Sequence, residues 1–503
     1  MLATVHSCVL AGLEARRVEV QADSANGQTN FFLVGLAGTS VKEARERVRS
    51  AITNSGLDFP RKRLTVNLAP AEMRKQGSGL DLPIAVAITL AEIGRQAPPR
   101  TAFLGELSLD GAVRHVDGVL VAARSLKKSG FERVFVPTVD AGEAALIEGI
   151  EVIPSSHLAG VLAHLLGRKL IPPQPFTHVE AEESSAGIEP DLSEVHGQEE
   201  ARRALEVAAA GGHHLLLSGP PGAGKTRLAR CVPGILPPLD LGEAFEVAQV
   251  RSLLGDLAPG RPLDWARPFR APHHGISMAG LIGGGSGFAL PGEISRAHHG
   301  VLFLDELAEF QAPVLQALRQ PLETGKVTIT RSGGSVTYPA RFTLVAATNP
   351  CPCGWLGDLV RVCRCTPPVV DAYQRRLSGP LLDRIDLQVG VRRVPLAELA
   401  GEPRGEPSAP VRERVLAARR RQLDRQGCLN AQLKPGRLRE AAPLEPGSRR
   451  ALERWSEQKG LTARGFHRAW RVARTSADLE GVQAIEDRHV LEALGYRLHD
   501  VAA

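Results

Sequence analysis

The chain has 503 residues, of which 43% are hydrophobic and 23% charged, and its formal net charge is +6. A chain of this size can bury several cores, so we expect two to four domains. Its modest basic excess permits a polyanionic partner but is equally typical of an ordinary solvated surface. No basic segment followed by a sustained apolar run opens the sequence, and the longest apolar stretch falls short of the roughly 20 residues that cross a bilayer, which predicts a cytoplasmic protein without a membrane partner.

Residues 1–170 alternate short β-rich runs with helical patterns, which predicts a mixed α/β or α+β domain. The β-rich runs are RRVEVQAD, TNFFLVGL, RLTVNLAP, RVFVP and EVIPSS. The helical patterns are SVKEARERVRSAI, LDLPIAVAITLAEIG, GVLVAARSLKKSG and LAGVLAHLLGR. Ser40 and Glu43 have capping-box spacing and predict the start of the first helix. Residues 171–190 are rich in Pro, Ser and acidic residues, which predicts a linker.

An apolar strand, a Gly- and Pro-rich loop and a helix follow one another in HHLLLSGPPGAGKTRLARCV. The loop matches G-x-x-x-x-G-K-T at every fixed position, a pattern that turns backbone N–H groups around phosphate oxygens at a helix N-terminus. We therefore expect Lys225 to meet the β- and γ-phosphates of ATP and the Thr226 hydroxyl to ligate Mg²⁺. The predicted nucleotide-binding residues are Gly219, Pro220, Pro221, Gly222, Ala223, Gly224, Lys225 and Thr226.

Two later apolar runs end in polar residues suited to hydrolysis. GVLFLDEL places Asp305 and Glu306 after a buried strand, and FTLVAATN places Asn349 after another. Asp305 is predicted to hold Mg²⁺ together with Thr226, Glu306 to polarise the attacking water, and Asn349 to orient that water. In open α/β sheets ligands bind at the carboxyl ends of the strands, which is where these residues are expected to meet.

Two insertions interrupt this core. APHHGISMAGLIGGGSGFALPGE is a Gly-rich loop, and GKVTITRSGGSVTYPARF has two β-rich runs around RSGG, which predicts a hairpin with a basic, flexible tip. Lys326 and Arg331 are candidate contacts to a DNA backbone, although a solvated hairpin that only caps the sheet has the same pattern. The histidine pairs 273–274 and 298–299 are expected to form hydrogen bonds in loops rather than to hold a metal.

Four of the seven cysteines lie within CPCGWLGDLVRVCRC, residues 351–365, where a uniform scatter would place about 0.2. The spacing C-x-C-x9-C-x-C gives two chelating pairs on the arms of a loop, and four thiolates suit tetrahedral Zn²⁺. A disulfide is disfavoured in a cytoplasmic protein and a thioredoxin-like centre lacks its motif, whereas an iron–sulfur cluster uses the same ligands and stays open. The predicted metal ligands are Cys351, Cys353, Cys363 and Cys365.

The last third of the chain offers two arginines for charge neutralisation. Arg384 lies in GPLLDRIDL and Arg464 in LTARGFHRAWRVARTSADLEG, and a fixed guanidinium at either position can stabilise charge on a γ-phosphate. From spacing alone each is equally compatible with a surface residue. A break at residues 401–410 precedes a segment that is dense in Arg and has apolar residues at helical spacing, which predicts a helical domain over 411–503.

The order of these motifs resembles the magnesium-chelatase-like AAA+ proteins of the YifB and ComM type. The motifs that carry the resemblance are GPPGAGKT, APHHGISMAGLIGGG, PGEISRAHHGVLFLDELAEF, TNPCPCGW, LSGPLLDRIDL and ARGFHRAWRVARTSADL. The resemblance implies a Lon-protease-like domain of the ribosomal S5 domain 2-like fold over 1–170. It also implies an α/β P-loop AAA+ core over 191–400 with a zinc-binding loop, and a helical lid over 411–503.

For function, the resemblance implies a hexameric, ATP-driven ring motor acting on single-stranded or branched DNA, such as a branch-migration helicase in natural transformation. By motif matching, Arg384 corresponds to an arginine finger acting on the neighbouring subunit. Arg464 corresponds to sensor 2, with Arg468 and Arg471 close by. Lys225 and Thr226 correspond to Walker A, Asp305 and Glu306 to Walker B, and Asn349 to sensor 1.

One departure from the family pattern concerns proteolysis. A Lon-type protease needs a nucleophilic Ser and a Lys base, and the corresponding positions here are Gly79 and Val116. Ser78, Lys127 and Lys128 lie near these positions in sequence but not at the required spacing, so we expect an inactive domain. Two alternatives stay open: a chelatase-type motor subunit that remodels a protein partner, and an ATP-dependent protease.

Overall fold

The structure is a computed structural model that describes most of the chain. The described residues are 1–35, 39–72, 75, 79–177, 190–257, 263–285, 289–331, 334–358, 360–377, 379–395, 398, 401, 405–458 and 460–497. Twelve residues of the predicted linker, 178–189, lie outside them, as does Ser78. In the described part of the chain, no helix combines the length and the hydropathy that a membrane span requires.

The N-terminal region is built on a seven-stranded mixed sheet with the order β3-β4-β2-β1-β5-β8-β9. The strands of this region are β1 Leu2–Ala11, β2 Glu14–Ala25, β3 Asn30–Val34, β4 Arg63–Ala69, β5 Thr101–Phe103, β6 Glu106–Leu107, β7 Val113–Arg114, β8 Arg133–Pro137 and β9 Glu151–Ser155. Strands β6 and β7 pair with each other and form a separate two-stranded sheet. The helices of this region are Thr39–Asn54, Asp81–Ile93, Val119–Lys128, Ala141–Ala144 and Leu158–Leu165. The predicted helical patterns therefore form helices, and the long strand β1 is an addition to the predicted strands.

The central region is an α/β unit on a five-stranded parallel sheet with the order β11-β14-β17-β10-β18. Its strands and those of two inserted hairpins are β10 Leu215–Ser218, β11 Phe269–Arg270, β12 Gly283–Gly284, β13 Leu290–Pro291, β14 Val301–Leu304, β15 Lys326–Arg331, β16 Gly334–Pro339, β17 Thr343–Thr348 and β18 Leu387–Gly390. Its helices are Glu199–Gly211, Lys225–Ile235, Leu241–Ser252, Met278–Ile282, Glu293–Arg296, Ala312–Ala317, Arg319–Thr324, Pro367–Gln374 and Gly379–Leu382.

Strands β10, β14 and β17 are buried along their whole length. Continuous apolar runs of this kind are typical of parallel strands that are covered by helices on both faces. Because all these strands run in one direction, their carboxyl ends lie along one edge of the sheet and their amino ends along the other. The predicted nucleotide-site residues and Arg384 lie at one or the other of these two edges.

The C-terminal region is helical, as predicted. Its helices are Ser408–Gln426, Leu438–Ala441, Pro446–Gln458, Ala463–Glu480 and Asp487–Gly495. The helix Ala463–Glu480 begins where the Thr462 hydroxyl accepts a hydrogen bond from Gly465 N at 3.1 Å, and it ends at Gly481, whose φ of 77° is left-handed. Its inner face packs into the hydrophobic core that the central sheet also shares.

The N-terminal region packs directly on the central one. Gly118 N donates to Ser252 O at 2.8 Å, and the Arg124 guanidinium donates to Gln249 Oε1 at 2.5 Å. The turn between β1 and β2 lies against the hairpin β15–β16, since a Cβ on Gly12 would lie 2.4 Å from Val336 Cγ1. Leu10 and Leu13 flank that turn and pack on the same apolar cluster as the hairpin.

Candidate nucleotide site

The phosphate loop connects β10 to the helix Lys225–Ile235 at the carboxyl edge of the sheet. Gly222 and Gly224 adopt left-handed backbone angles, with φ of 76° and 89°. A Cβ on Gly219 would lie 2.0 Å from Val391 O, so only glycine fits where the loop leaves the strand. The sequence pattern G-x-x-x-x-G-K-T thus forms a tight loop that leads into a helix N-terminus.

Lys225 lies at the centre of this loop. Its Nζ donates to Gly219 O at 2.5 Å, to Pro220 O at 3.0 Å and to Asn349 Oδ1 at 3.1 Å. Burial lowers the pKa of Lys225 to about 8. The ammonium is therefore held by neutral oxygens in a partly desolvated site, where phosphate oxygens would replace these acceptors and favour its charged form.

Thr226 and Asp305, the two predicted magnesium ligands, contact each other. The Thr226 hydroxyl donates to Asp305 Oδ2 at 2.7 Å, and Asp305 Oδ1 accepts from Glu306 N at 2.9 Å. A hydroxyl and a carboxylate are the hard oxygen ligands that Mg²⁺ takes beside substrate phosphates. These side chains fit the ion, and with it they would neutralise charge on the transferred phosphate.

Glu306 follows Asp305 in a left-handed backbone conformation, with φ of 52°. Its Oε2 lies 3.3 Å from His274 Nδ1, and the His274 ring lies against His273 with ring centroids 4.0 Å apart. The expectation that His273 and His274 are loop residues did not anticipate this contact with the predicted base. No sequence signal pointed to it, because the contact depends on the pairing of β11 with β14 in the sheet.

Both members of the other histidine pair, His298 and His299, contact the same glutamate. His298 Nε2 and His299 Nε2 each lie 2.8 Å from Glu246 Oε2, so the three side chains have the composition of a metal site. His298 Nδ1, however, accepts a hydrogen bond from Arg341 N at 3.1 Å, which puts the ring proton on Nε2, where it points at Glu246. The tautomer therefore favours the predicted loop hydrogen bonds over a metal.

Arg384 lies at the opposite, amino edge of the sheet. It borders a cavity of about 930 Å³, and its guanidinium pairs with Glu323. The residues that place this cavity at the amino ends of β10, β14, β17 and β18 are His214, Gly300, Thr343 and Asp386. A four-residue strand such as β10 spans about 13 Å, so the sheet separates Arg384 from the phosphate loop of its own chain.

Two of the arginines that line the same cavity come from a single helix of the C-terminal region. They are Arg468 and Arg471 on the helix Ala463–Glu480, and burial lowers the pKa of both guanidinium groups. Arg468 Nε lies 3.7 Å from Asp386 Oδ1. Arg464 is exposed and does not line the cavity, so the structure places Arg468 and Arg471, rather than Arg464, in the same cavity as Arg384.

The four clustered cysteines converge in space. Their sulfur atoms lie within 4.8 Å of one another, with Sγ–Sγ distances of 3.4 Å for 351–353 and 3.6 Å for both 351–363 and 353–363. Four sulfurs about 2.3 Å from a tetrahedral zinc stand roughly 3.8 Å apart, so this set fits the ion. The loop adjoins the nucleotide site, because a Cβ on Gly354 would lie 2.5 Å from Pro221 Cδ.

Lys326 and Arg331 are the first and last residues of β15, and both are exposed. Arg331 pairs with Gly334 at the tip of the hairpin, whereas Lys326 pairs with Pro339 at its base. The two tip residues, 332–333, lie outside the described part of the chain. The hairpin is therefore present, with Arg331 at its tip and Lys326 about 17 Å away along the strand.

In the N-terminal region the two positions matched to a protease nucleophile and base are neighbours. A Cβ on Gly79 would lie 2.9 Å from Val116 Cγ1. Neither residue offers a nucleophile or a proton acceptor on its side chain. Lys127 lies elsewhere, with its Nζ donating to Gly149 O, and Ser78 is outside the described residues.

Three family models match the chain and together span most of it. The model described as magnesium chelatase, subunit ChlI, matches residues 191–399. A second, subunit ChlI of Mg-chelatase, matches residues 18–140, and the model of the ChlI C-terminal region matches residues 405–497.

Similar full-length proteins are found in several bacteria. The protein YifB of Escherichia coli is 43% identical over 505 residues, which cover 99% of this chain and 97% of YifB. The competence protein ComM of Haemophilus influenzae is 42% identical over 501 residues, with 99% of this chain and 97% of ComM covered. The magnesium-chelatase 38 kDa subunit of Rhodobacter capsulatus is 29% identical over 181 residues, covering 32% of this chain and 50% of that subunit.

Proposed function

This chain belongs to the magnesium-chelatase-like AAA+ family that includes YifB and ComM, and on that premise we propose that it is an ATPase that drives movement along DNA. The observation that carries the proposal is the carboxyl edge of the central sheet. There Lys225 contacts Asn349 at 3.1 Å and Thr226 contacts Asp305 at 2.7 Å. These residues are the cation, the metal ligands and the water-positioning amide that phosphoryl transfer needs.

We propose that two copies of the chain form each complete ATPase site. Arg384 faces away from its own phosphate loop, so the nucleotide it serves is bound by a neighbouring copy. The arginines in its cavity are candidates for the same role, and Arg464, matched to sensor 2 by its motif, stays a prediction for it. An arrangement in which every chain gives and receives an arginine closes naturally into a ring, and the proposed ring is a hexamer.

DNA is the proposed track. The exposed cations Lys326 and Arg331 on the hairpin β15–β16 support phosphate-backbone contacts. The name competence protein given to the Haemophilus relative motivates the finer proposal of a branch-migration helicase that acts on single-stranded or branched DNA during transformation or recombination.

The family membership also supports proposals for the domain boundaries, for the N-terminal domain and for the cysteine loop. The proposed units are a Lon-like domain over 1–170, a linker over 171–190, an AAA+ core over 191–400 and a helical lid over 411–503. The Lon-like domain is proposed to lack peptidase activity because Gly79 and Val116 stand where a nucleophile and a base are needed. The cysteine loop over 351–365 is proposed to hold zinc as a structural brace.

The ATPase rate with and without DNA tests this function. We expect single-stranded or branched DNA to raise the rate of the wild type, and the affinity for DNA to fall with log salt by roughly 0.7 to 0.9 per phosphate neutralised. Arg331→Ala should weaken binding to all sequences alike. A rate that no DNA changes at any salt would instead favour a chelatase-type motor acting on a protein partner.

A further inference from the structure

The helical C-terminal region contains a second cavity, of about 700 Å³, that the proposed nucleotide site does not use. Its volume is within the range of about 300–1,000 Å³ that proteins use for small ligands. Phe466, His467 and Trp470 line one side of it, and Arg439 and Arg449 line another. We call it the lid pocket, and we propose that it binds an unpaired nucleotide of single-stranded DNA.

The aromatic side of the lid pocket has the chemistry of a base-stacking platform. The Phe466 ring meets Trp470 and His467 edge to face, with ring centroids 6.0 Å and 5.8 Å apart. Trp470 Nε1 donates to Ala442 O at 2.7 Å, which fixes the indole and satisfies its one donor. Phe466 and Trp470 are half-buried rings that need no further polar partner, so they are suited to accept the π-face of a base.

The basic side of the lid pocket suits the phosphate that accompanies an unpaired base. Arg439 and Arg449 are both exposed, and their guanidinium groups can reach phosphate oxygens in solution. Glu453, which also lines the pocket, pairs with Arg449 at 2.9 Å and neutralises one of the two charges. Arg439 is therefore the stronger phosphate contact of the two.

Unpaired DNA matches this pocket better than a duplex does. A base inside a duplex keeps both faces stacked on its neighbours, so it cannot lie against Phe466 without being extruded, whereas every base of a single strand offers a free face. The aromatic groups alone would also suit a peptide, but arginines on the rim favour an anionic ligand. The inference rests on the proposed function, because it names a second contact for the same DNA.

The position of the lid pocket connects it to the arginine cavity. Pro435 lines both cavities, and the helix Ala463–Glu480 presents Phe466, His467 and Trp470 to one while presenting Arg468 and Arg471 to the other. One rigid helix therefore contacts the proposed strand and the arginines proposed to serve the neighbouring nucleotide. A strand bound in the lid pocket is placed to influence ATP hydrolysis through that helix.

Fluorescence anisotropy of a labelled oligothymidylate with the full-length protein tests the inference. Phe466→Ala and Arg439→Glu should each weaken binding of the single strand by at least about fivefold, while Phe466→Tyr, which keeps a stacking ring, should bind like the wild type. Arg454→Glu and Leu491→Ala alter exposed residues of the same region outside the pocket and are the matched controls. Thermal unfolding of each variant checks that the lid stays folded.

Tryptophan fluorescence gives an independent readout. The chain has four tryptophans, and quenching by the oligothymidylate should disappear in Trp470→Phe but persist in Trp265→Phe, which alters a buried residue of the central region. If the wild type binds no DNA, the proposed function fails together with this inference. If Arg331→Ala weakens binding while the folded pocket variants bind like the wild type, or if Trp470 is quenched by peptides and not by DNA, the inference alone is overturned.

Discussion

The two edges of the central parallel sheet carry the residues that we propose for opposite halves of one reaction. At the carboxyl edge, Lys225 contacts Asn349 at 3.1 Å and Thr226 contacts Asp305 at 2.7 Å. At the amino edge, Arg384, Arg468 and Arg471 are among the arginines that line a cavity of about 930 Å³. In the proposed reaction, one chain therefore supplies a phosphate-binding half at one edge and a charge-neutralising half at the other, and its own sheet keeps the two apart.

The two edges are also stabilised differently. The carboxyl edge is shaped by backbone, with glycines that turn the phosphate loop into a helix N-terminus. The amino edge is shaped by charged side chains around Asp386: burial opposes its ionisation, but the hydrogen bond with His213 and the charge of Arg468 hold its pKa below the usual range. His213 Nε2 also meets Thr475 Oγ1 at 2.8 Å, which ties the C-terminal helix to this edge.

The largest expected effects follow from breaking the carboxyl edge. Lys225→Ala should lower ATP turnover by at least about 10² to 10³-fold and weaken ATP binding, because it removes the cation of the phosphate loop. Glu306→Gln should lower turnover comparably but keep ATP bound, since the loop is untouched. Steady-state turnover and binding of a fluorescent ATP analogue separate the two.

Glu309→Gln is the matched control for Glu306→Gln, because Glu309 is an exposed carboxylate of the same loop. It should turn over ATP like the wild type. Wild-type turnover by Glu306→Gln would show that another group polarises the attacking water.

A smaller effect is expected from the two arginines compared for the sensor role, of which only Arg468 lines the cavity at the amino edge. Arg468→Ala should lower turnover about tenfold, because Arg468 lines the cavity beside Arg384, whereas Arg464→Ala should change it by less than about twofold. Because Arg468 also pairs with the buried Asp386, thermal unfolding and the Arg468→Lys variant distinguish lost catalysis from lost stability. A larger loss of turnover in Arg464→Ala than in Arg468→Ala would instead support the sensor 2 role of Arg464.

The cysteine loop is expected to support the carboxyl edge, but the phosphate loop should not depend on it. Elemental analysis should find about one zinc per chain, and Cys363→Ser combined with Cys365→Ser should lose it. Because the loop touches Pro221 but neither Lys225 nor Thr226, ATP affinity should fall by less than about tenfold. Cys428→Ser, outside the cluster, should keep the metal, and a metal-free wild type prepared in reducing buffer without chelator would contradict a zinc site.

The smallest effect concerns the pH dependence of stability near the amino edge. Burial opposes ionisation of Glu243, but hydrogen bonding to His299 and the charge of Arg267 lower its pKa from 4.5 to about 2. Hydrogen bonds to His298 and His299 lower the pKa of Glu246 to about 2 as well. Since both folded-state values lie below the unfolded one, their stabilisation is fully present above about pH 4.5 and is lost as the pH falls towards 2.

Urea unfolding at a series of pH values measures this loss. Glu246→Gln should flatten the decline of the unfolding midpoint below about pH 4.5 relative to the wild type. Glu457→Gln, at an exposed position of the C-terminal region, is the control and should leave the decline unchanged. Equal slopes for Glu246→Gln and the wild type would contradict the shift.

Sequence predicted those features whose signal is local. Contiguous stretches of sequence predicted the phosphate loop and the strand before Asp305. Two short β-rich runs around a turn predicted the hairpin β15–β16. The parallel sheet and the C-terminal helices agree with those patterns and with the family. The strand β1, Leu2–Ala11, was missed because its apolar residues were weighed as a possible targeting signal rather than as a partner for β2.

Features that depend on distant segments could not be read from the sequence. Arg384 and Arg468 are 84 positions apart and line one cavity only because the C-terminal helix packs against the central region. The contact of His274 with Glu306 requires β11 and β14 to be neighbours. The packing of the Gly12 turn on Val336 joins two regions whose relative position no motif specifies.

The central claim, that each ATPase site is completed by a second copy, is tested most directly by mixing two inactive variants. Arg384→Ala should bind ATP but lose about 10² to 10³-fold in turnover, and Lys225→Ala should be inactive for the opposite reason. When the two are mixed, the phosphate loop of the first and the arginine of the second meet at shared interfaces. We expect ATP turnover to reappear in the mixture and to depend on the mixing ratio. Inactivity at every ratio, or an Arg384→Ala protein that turns over ATP like the wild type, would contradict it.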